Sequence, residues 1–126
     1  MSLSDSKVGT AVAVSDMARA RSFYEGTLGL ESNQQSDEMT AYECGGGTGL
    51  FVYLSEHAGS NKATLAGFEV SDFDATREEL AGRGIEFERY DDESGVTTDS
   101  DGVFEGPGFK AAWFKDPDGN IFSING

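Results

Sequence analysis

Few side chains in this sequence are equipped for chemistry, and their surroundings exclude most of what they could do. The chain has one histidine, His57, and one cysteine, Cys44. His57 lies in the polar stretch 56–62 and reads as an exposed surface residue. Cys44 has no basic neighbour to lower its pKa, so it reads as a small buried hydrophobe. With no second cysteine there is no internal disulfide. Residues 45–49 (GGGTG) lack the Lys-Ser/Thr of a phosphate loop and read as a turn. No Ser-centred nucleophile elbow exists. Asp91, Asp92, Glu93, Asp99 and Asp101 miss the spacing and the closing Glu of a calcium loop, and a solvated acidic loop fits them better. What remains is a set of carboxylates, Glu43, Glu69 and Glu105, and two aromatic residues, Tyr53 and Trp113, of the kind that stack on a small molecule.

The charge balance narrows the partners. Nine Lys and Arg face 23 Asp and Glu, a net charge of −14. Such a field repels nucleic-acid phosphates and anionic membranes, and favours a cationic or neutral ligand at long range. No apolar run is long enough to span a bilayer, and MSLSDSKV at the start is polar. The expectation is a cytoplasmic protein with no nucleic-acid and no membrane partner.

The elements that must position these residues are legible from periodicity. The most strongly patterned stretch is 109–124, FKAAWFKDPDGNIFSI. Two apolar-rich runs flank Asp-Pro-Asp-Gly-Asn, where Pro117 presets the first turn corner and Gly119 accepts a left-handed conformation, so a hairpin is predicted. Upstream, strands are predicted over 7–14, 30–35, 38–44, 50–55, 63–70 and 85–90. A helix starting after Ser15-Asp16 carries Met17, Ala20, Phe23, Tyr24 and Leu28 on one stripe. A second follows Ser71-Asp72, with Ser71 and Asp74 spaced as a capping box. Residues 91–108, acidic and rich in glycine, read as a long mobile loop over a cavity.

The two halves match. Val14-Ser15-Asp16 recurs as Val70-Ser71-Asp72, 56 positions later, and Arg21 recurs as Arg77 at the same offset. With AVAVSDMARARSFYEGTLGL, GFEVSD and the final hairpin, this repeat resembles the vicinal oxygen chelate superfamily of glyoxalases, bleomycin-resistance proteins and extradiol dioxygenases. The resemblance implies an α+β fold: two βαβββ modules, about 7–56 and 63–126, forming one domain as a half-open eight-stranded barrel around a small-molecule cavity. It also implies a homodimer.

Enzymes of that superfamily hold a divalent metal with His, Glu or Gln. By the resemblance, the first-strand ligand falls at Gly9, the ligand opening the second module at Leu65, and the last-strand carboxylate at Ser123. A fourth falls near Val52 or Tyr53. None of these is a usual ligand for Zn, Fe or Mn. The expectation is therefore a small-molecule-binding protein without metal catalysis and without a cofactor, sequestering an aromatic or cationic compound. Its binding residues are expected to be Tyr53, Leu65, Glu69, Trp113, Ile121 and Ser123, beside Phe51 or Val52, with Glu69 the inward charge. The enzyme alternative is a metal-dependent lyase or dioxygenase with non-standard ligands, and a third is a structural dimer with a vestigial cavity.

Overall fold

In the computed structural model, which describes residues 3–91 and 95–126, the chain divides into two compact units, one ending at Gly59 and the other beginning at Ser60. The first contains β1 (Thr10–Val14), α1 (Met17–Arg21), β2 (Glu31–Gln35), β3 (Met39–Glu43) and β4 (Gly49–Leu54). Its sheet runs β1-β4-β3-β2, with β1 parallel to β4 and the other pairs antiparallel. The second contains β5 (Thr64–Glu69), α2 (Phe73–Gly82), β6 (Phe104–Gly106), β7 (Phe109–Lys115) and β8 (Ile121–Asn125). Its order is β5-β8-β7-β6, with β5 parallel to β8. Both units are thus βαβββ modules of one topology, the α+β class that the repeat predicts.

Each helix begins on an aspartate. Asp16 accepts from the backbone N–H of Arg19 at 3.0 Å, and Asp72 from that of Ala75 at 3.1 Å. The capping box expected between Ser71 and Asp74 does not form, because the cap sits one residue later and Asp74 falls in the second helical position. The first helix does not stay α-helical to its end. Ser22–Thr27 is a π-helical turn, in which the Leu28 N–H reaches Phe23 O at 2.9 Å, and Gly29 stops it at φ +75°. The paired arginines do equivalent work. Arg21 donates to Thr40 Oγ1 at 3.0 Å and to the Ser36 carbonyl before β3. Arg77 donates to the Asp101 carbonyl before β6 at 2.7 and 3.1 Å, with its guanidinium 5.2 Å from the Phe87 ring centre.

Each sheet buries one face with its helix. Val12, Val14, Met17, Ala20, Tyr24, Tyr42, Leu50 and Val52 form the apolar core of the first unit. In the second, Phe73 and Leu80 of α2 join Ala112, Phe114, Phe122 and Ile124, and the Phe114 and Phe122 rings stack with centroids 5.8 Å apart. Alternation leaves the other face of each sheet free of helix, carrying Phe51 and Tyr53 in one unit and Trp113 and Ser123 in the other.

The strand predicted over 85–90 is not formed. Ile85 and Phe87 turn inward as strand residues would, but among the described residues the main chain there makes one bond to the sheet, Glu88 N–H to Trp113 O at 2.8 Å. The first three residues of β7, Phe109–Ala111, pair instead with β6, inside the stretch expected to be a loop. That stretch is also tied by Thr98 N–H to Tyr90 O and by Asp99, whose carboxylate accepts from the N–H groups of Asp101 and Val103. These two backbone bonds, Val103 first, hold the Asp99 carboxyl below its usual pKa. Of the acidic run considered for calcium, Asp92 and Glu93 lie outside the described residues. Among the described residues no helix is long and apolar enough to cross a membrane.

Candidate functional site

The hairpin of β7 and β8 builds the helix-free face of the second sheet. Its turn is locked by Asp116, which is buried and accepts from Asp118 N–H at 3.0 Å, Asn120 N–H at 2.8 Å and the Asn120 carboxamide at 2.8 Å. Gly119, at φ +87°, completes it. The register that follows sets Trp113 opposite Ser123 and Ala111 opposite Asn125. On the other side of β8, Gly67 stands opposite Ser123 and Glu69 opposite Asn125. Residues paired across neighbouring strands point to one face, so Trp113, Ser123, Asn125, Gly67 and Glu69 share it.

β5 departs from simple alternation. Thr64 is in register with Ile121 and Ala66 with Phe122, so Leu65 is the extra residue of a bulge. The bulge brings Thr64 to the Ile121 side. Thr64, Tyr90, Val96, Trp113 and Ile121 line a recess of ≈ 210 Å³, with Lys62 and Ala63 at its edge. Its aromatic wall is continuous. The Tyr90 ring meets Trp113 edge-on at 5.4 Å, and Phe104 lies 6.4 Å from Trp113. Burial first, and then the Glu88 carboxylate, push the Tyr90 phenol above its ordinary pKa, so it presents a neutral hydroxyl. Glu88 is itself paired with Lys115 at 3.2 Å.

Trp113, Ile121 and Ser123 are therefore brought together. Glu69 lies on the same face but is exposed, at the far end of β5. Leu65 is half-buried in the bulge, and Thr64 rather than Leu65 lines the recess. Tyr53 belongs to the first unit, half-buried on its helix-free face and stacked on Phe51 with centroids 6.0 Å apart. Tyr90 and Asn125 were not singled out from sequence. Asn125 shares the alternation of Ile121 and Ser123 and was open to that argument; Tyr90 belongs to the segment misread as a strand.

The register also settles which residue of β4 corresponds to Ser123. Ser123 pairs with Gly67, five residues before Asp72; Phe51 pairs with Ala11, five residues before Asp16. The position is Phe51, and Val52 points into the helix-side core. Gly9, Phe51, Leu65 and Ser123, the positions at which the resemblance implies metal ligands, carry no imidazole, carboxylate or thiolate. Among the described residues no three His, Cys, Asp or Glu side chains gather where they could hold a metal elsewhere.

Comparison with known proteins agrees with this architecture. The structure is similar to that of SMU.1112c, at 24% identity over 97% of this chain and 99% of that one, with a TM-score of 0.70. It is similar to TnmS3, an antibiotic binding protein from Streptomyces sp. CB03234, at 21% identity over 96% of each chain and a TM-score of 0.66. Fosfomycin resistance protein FosX from Mesorhizobium loti matches at 14% identity over 96% of this chain and 91% of that one, with a TM-score of 0.65. At these identities the likeness is one of fold. No curated protein sequence matches significantly. The sequence model of the Glyoxalase/Bleomycin resistance protein/Dioxygenase superfamily matches residues 8–124, nearly the whole chain, and the protein belongs to that superfamily.

Proposed function

We propose that this protein binds and sequesters a small aromatic compound on the helix-free face of its second sheet, without a catalytic metal. The observation that carries the reading is the recess between Tyr90, Trp113 and Ile121, on a face whose superfamily ligand position is occupied by Ser123. Such a site is largely apolar with few polar groups, the usual make-up of a small-molecule pocket. The fold likeness to an antibiotic binding protein supports it. Aromatic character rests on the recess itself. A preference for cations rests on the net charge of −14 alone, because the charged side chain at the recess edge is Lys62 and Glu69 is exposed. It is a long-range, salt-sensitive bias. A cytoplasmic homodimer completes the reading.

The test is a thermal-shift screen of neutral and cationic bicyclic aromatics, on protein purified without chelator and assayed for metals. A saturable rise in Tm with substoichiometric metal is expected. One Zn, Fe, Mn or Ni per chain would instead favour a lyase or dioxygenase with non-standard ligands. Failure of every aromatic to stabilise the protein would favour a structural dimer.

A further inference from the structure

The same face holds a polar feature that the recess alone does not explain. Gly67 is exposed, and the space its missing side chain leaves is bordered by two polar atoms. A Cβ built there would lie 2.7 Å from Ser123 Oγ and 3.0 Å from Asn125 Oδ1. The backbone of Gly67 does not require glycine, since its φ is outside the positive range. The glycine therefore serves space rather than a turn. Neither the Ser123 hydroxyl nor the Asn125 carboxamide makes a hydrogen bond to another of the described residues. Both groups keep solvent access, since among the described residues no buried side-chain polar atom lacks a partner, and they are open to a ligand. Across the strand, Trp113 stands directly opposite Ser123.

We infer that the Gly67 notch is the polar anchor of the site, and that Ser123 and Asn125 read an amide or lactam edge on an aromatic ligand. This rests on the binding reading above and names the ligand's chemistry. The Ser123 hydroxyl donates to the ligand's carbonyl oxygen, the Asn125 carboxamide oxygen accepts its N–H, and the ring attached to the amide lies toward Trp113. A Cβ at position 67 would occupy the notch. A hydrocarbon of the same shape leaves both protein groups unpaired and is rejected for that reason.

The experiment compares three matched probes by calorimetry: 2-naphthamide, 2-acetylnaphthalene and 2-isopropenylnaphthalene, which offer two, one and none of the required hydrogen-bonding functions. Wild-type affinity is expected to fall in that order, by roughly two- to tenfold at each step. Gly67→Ala fills the notch and is expected to weaken all three probes, 2-naphthamide most because the added Cβ also crowds the Ser123 hydroxyl. Ser123→Ala, which removes the hydroxyl without adding volume, is expected to weaken 2-naphthamide and 2-acetylnaphthalene selectively, independently of any strain at position 67, and to leave 2-isopropenylnaphthalene nearly unchanged. Equal binding of all three probes, or an unchanged ratio in both variants, overturns the anchor and leaves the aromatic recess standing. Binding of none overturns both.

Discussion

Asp116→Ala tests how firmly the site is held. The carboxylate is buried and satisfies three donors across the turn between β7 and β8, all at 2.8–3.0 Å. Alanine removes the acceptor and leaves the donors, two of them on buried Asn120. A hydrogen bond contributes about 1 kcal/mol net, and a buried donor left without a partner costs about 1–3 kcal/mol. The expected loss is therefore about 3 kcal/mol. For a chain of this size 1 kcal/mol corresponds to about 4 °C, so the midpoint should fall by roughly 12 °C. Asp116→Asn keeps the shape but replaces one acceptor oxygen with a donor, and should fall between. The assay is urea and thermal unfolding followed by far-UV circular dichroism. Because the turn sets the register of Trp113 against Ser123, probe affinity at low temperature should fall in step. A loss below about 1 kcal/mol, with affinity unchanged, would show that water replaces the carboxylate and that strand pairing alone fixes the register.

Other outcomes follow from single contacts. The buried Tyr42 hydroxyl donates to Glu25 at 2.9 Å, and burial first, then Glu25, raise its pKa well above the usual value. The folded state thus holds this proton more tightly than the unfolded chain; the stabilisation is full below about pH 10 and is lost as pH rises beyond it, a loss that Tyr42→Phe should reduce in alkaline unfolding. Asp99 behaves oppositely: its depressed pKa means that the 99–103 turn loosens as pH falls below about 4, so Val103 amide exchange should show reduced protection in acid, and in Asp99→Ala at any pH. Any preference for a cationic over an anionic naphthyl ligand should vanish at about 1 M salt, where screening acts within about 3 Å.

Much of this was legible in the sequence for physical reasons. The 56-residue repeat marked both capping aspartates and both arginines, which hold loop carbonyls in the two units. The Asp-Pro-Asp-Gly-Asn turn dictated the hairpin, and alternation then placed Trp113 and Ser123 on one face. Three features escaped. The bulge at Leu65 is marked by no residue type of its own, so simple alternation sets Leu65 on the face of Gly67 and Glu69, where the register places Thr64. Ile85 and Phe87 carry a strand's pattern because they pack inward, yet the segment reaches the β7 edge through a single bond at Trp113, too few for a ladder. Gly67 gives no signal within its own strand, because Ser123 and Asn125, which border its space, come from β8.

Trp113 is the only tryptophan in the chain, so its emission reports on the recess alone. The most direct test of aromatic binding without a metal is a fluorescence titration of chelator-treated, metal-free protein with 2-naphthamide. Saturable quenching at one site per chain, unchanged when zinc, iron or manganese is restored, is the predicted result. Quenching that requires a restored metal, or emission that does not respond at all, would contradict it.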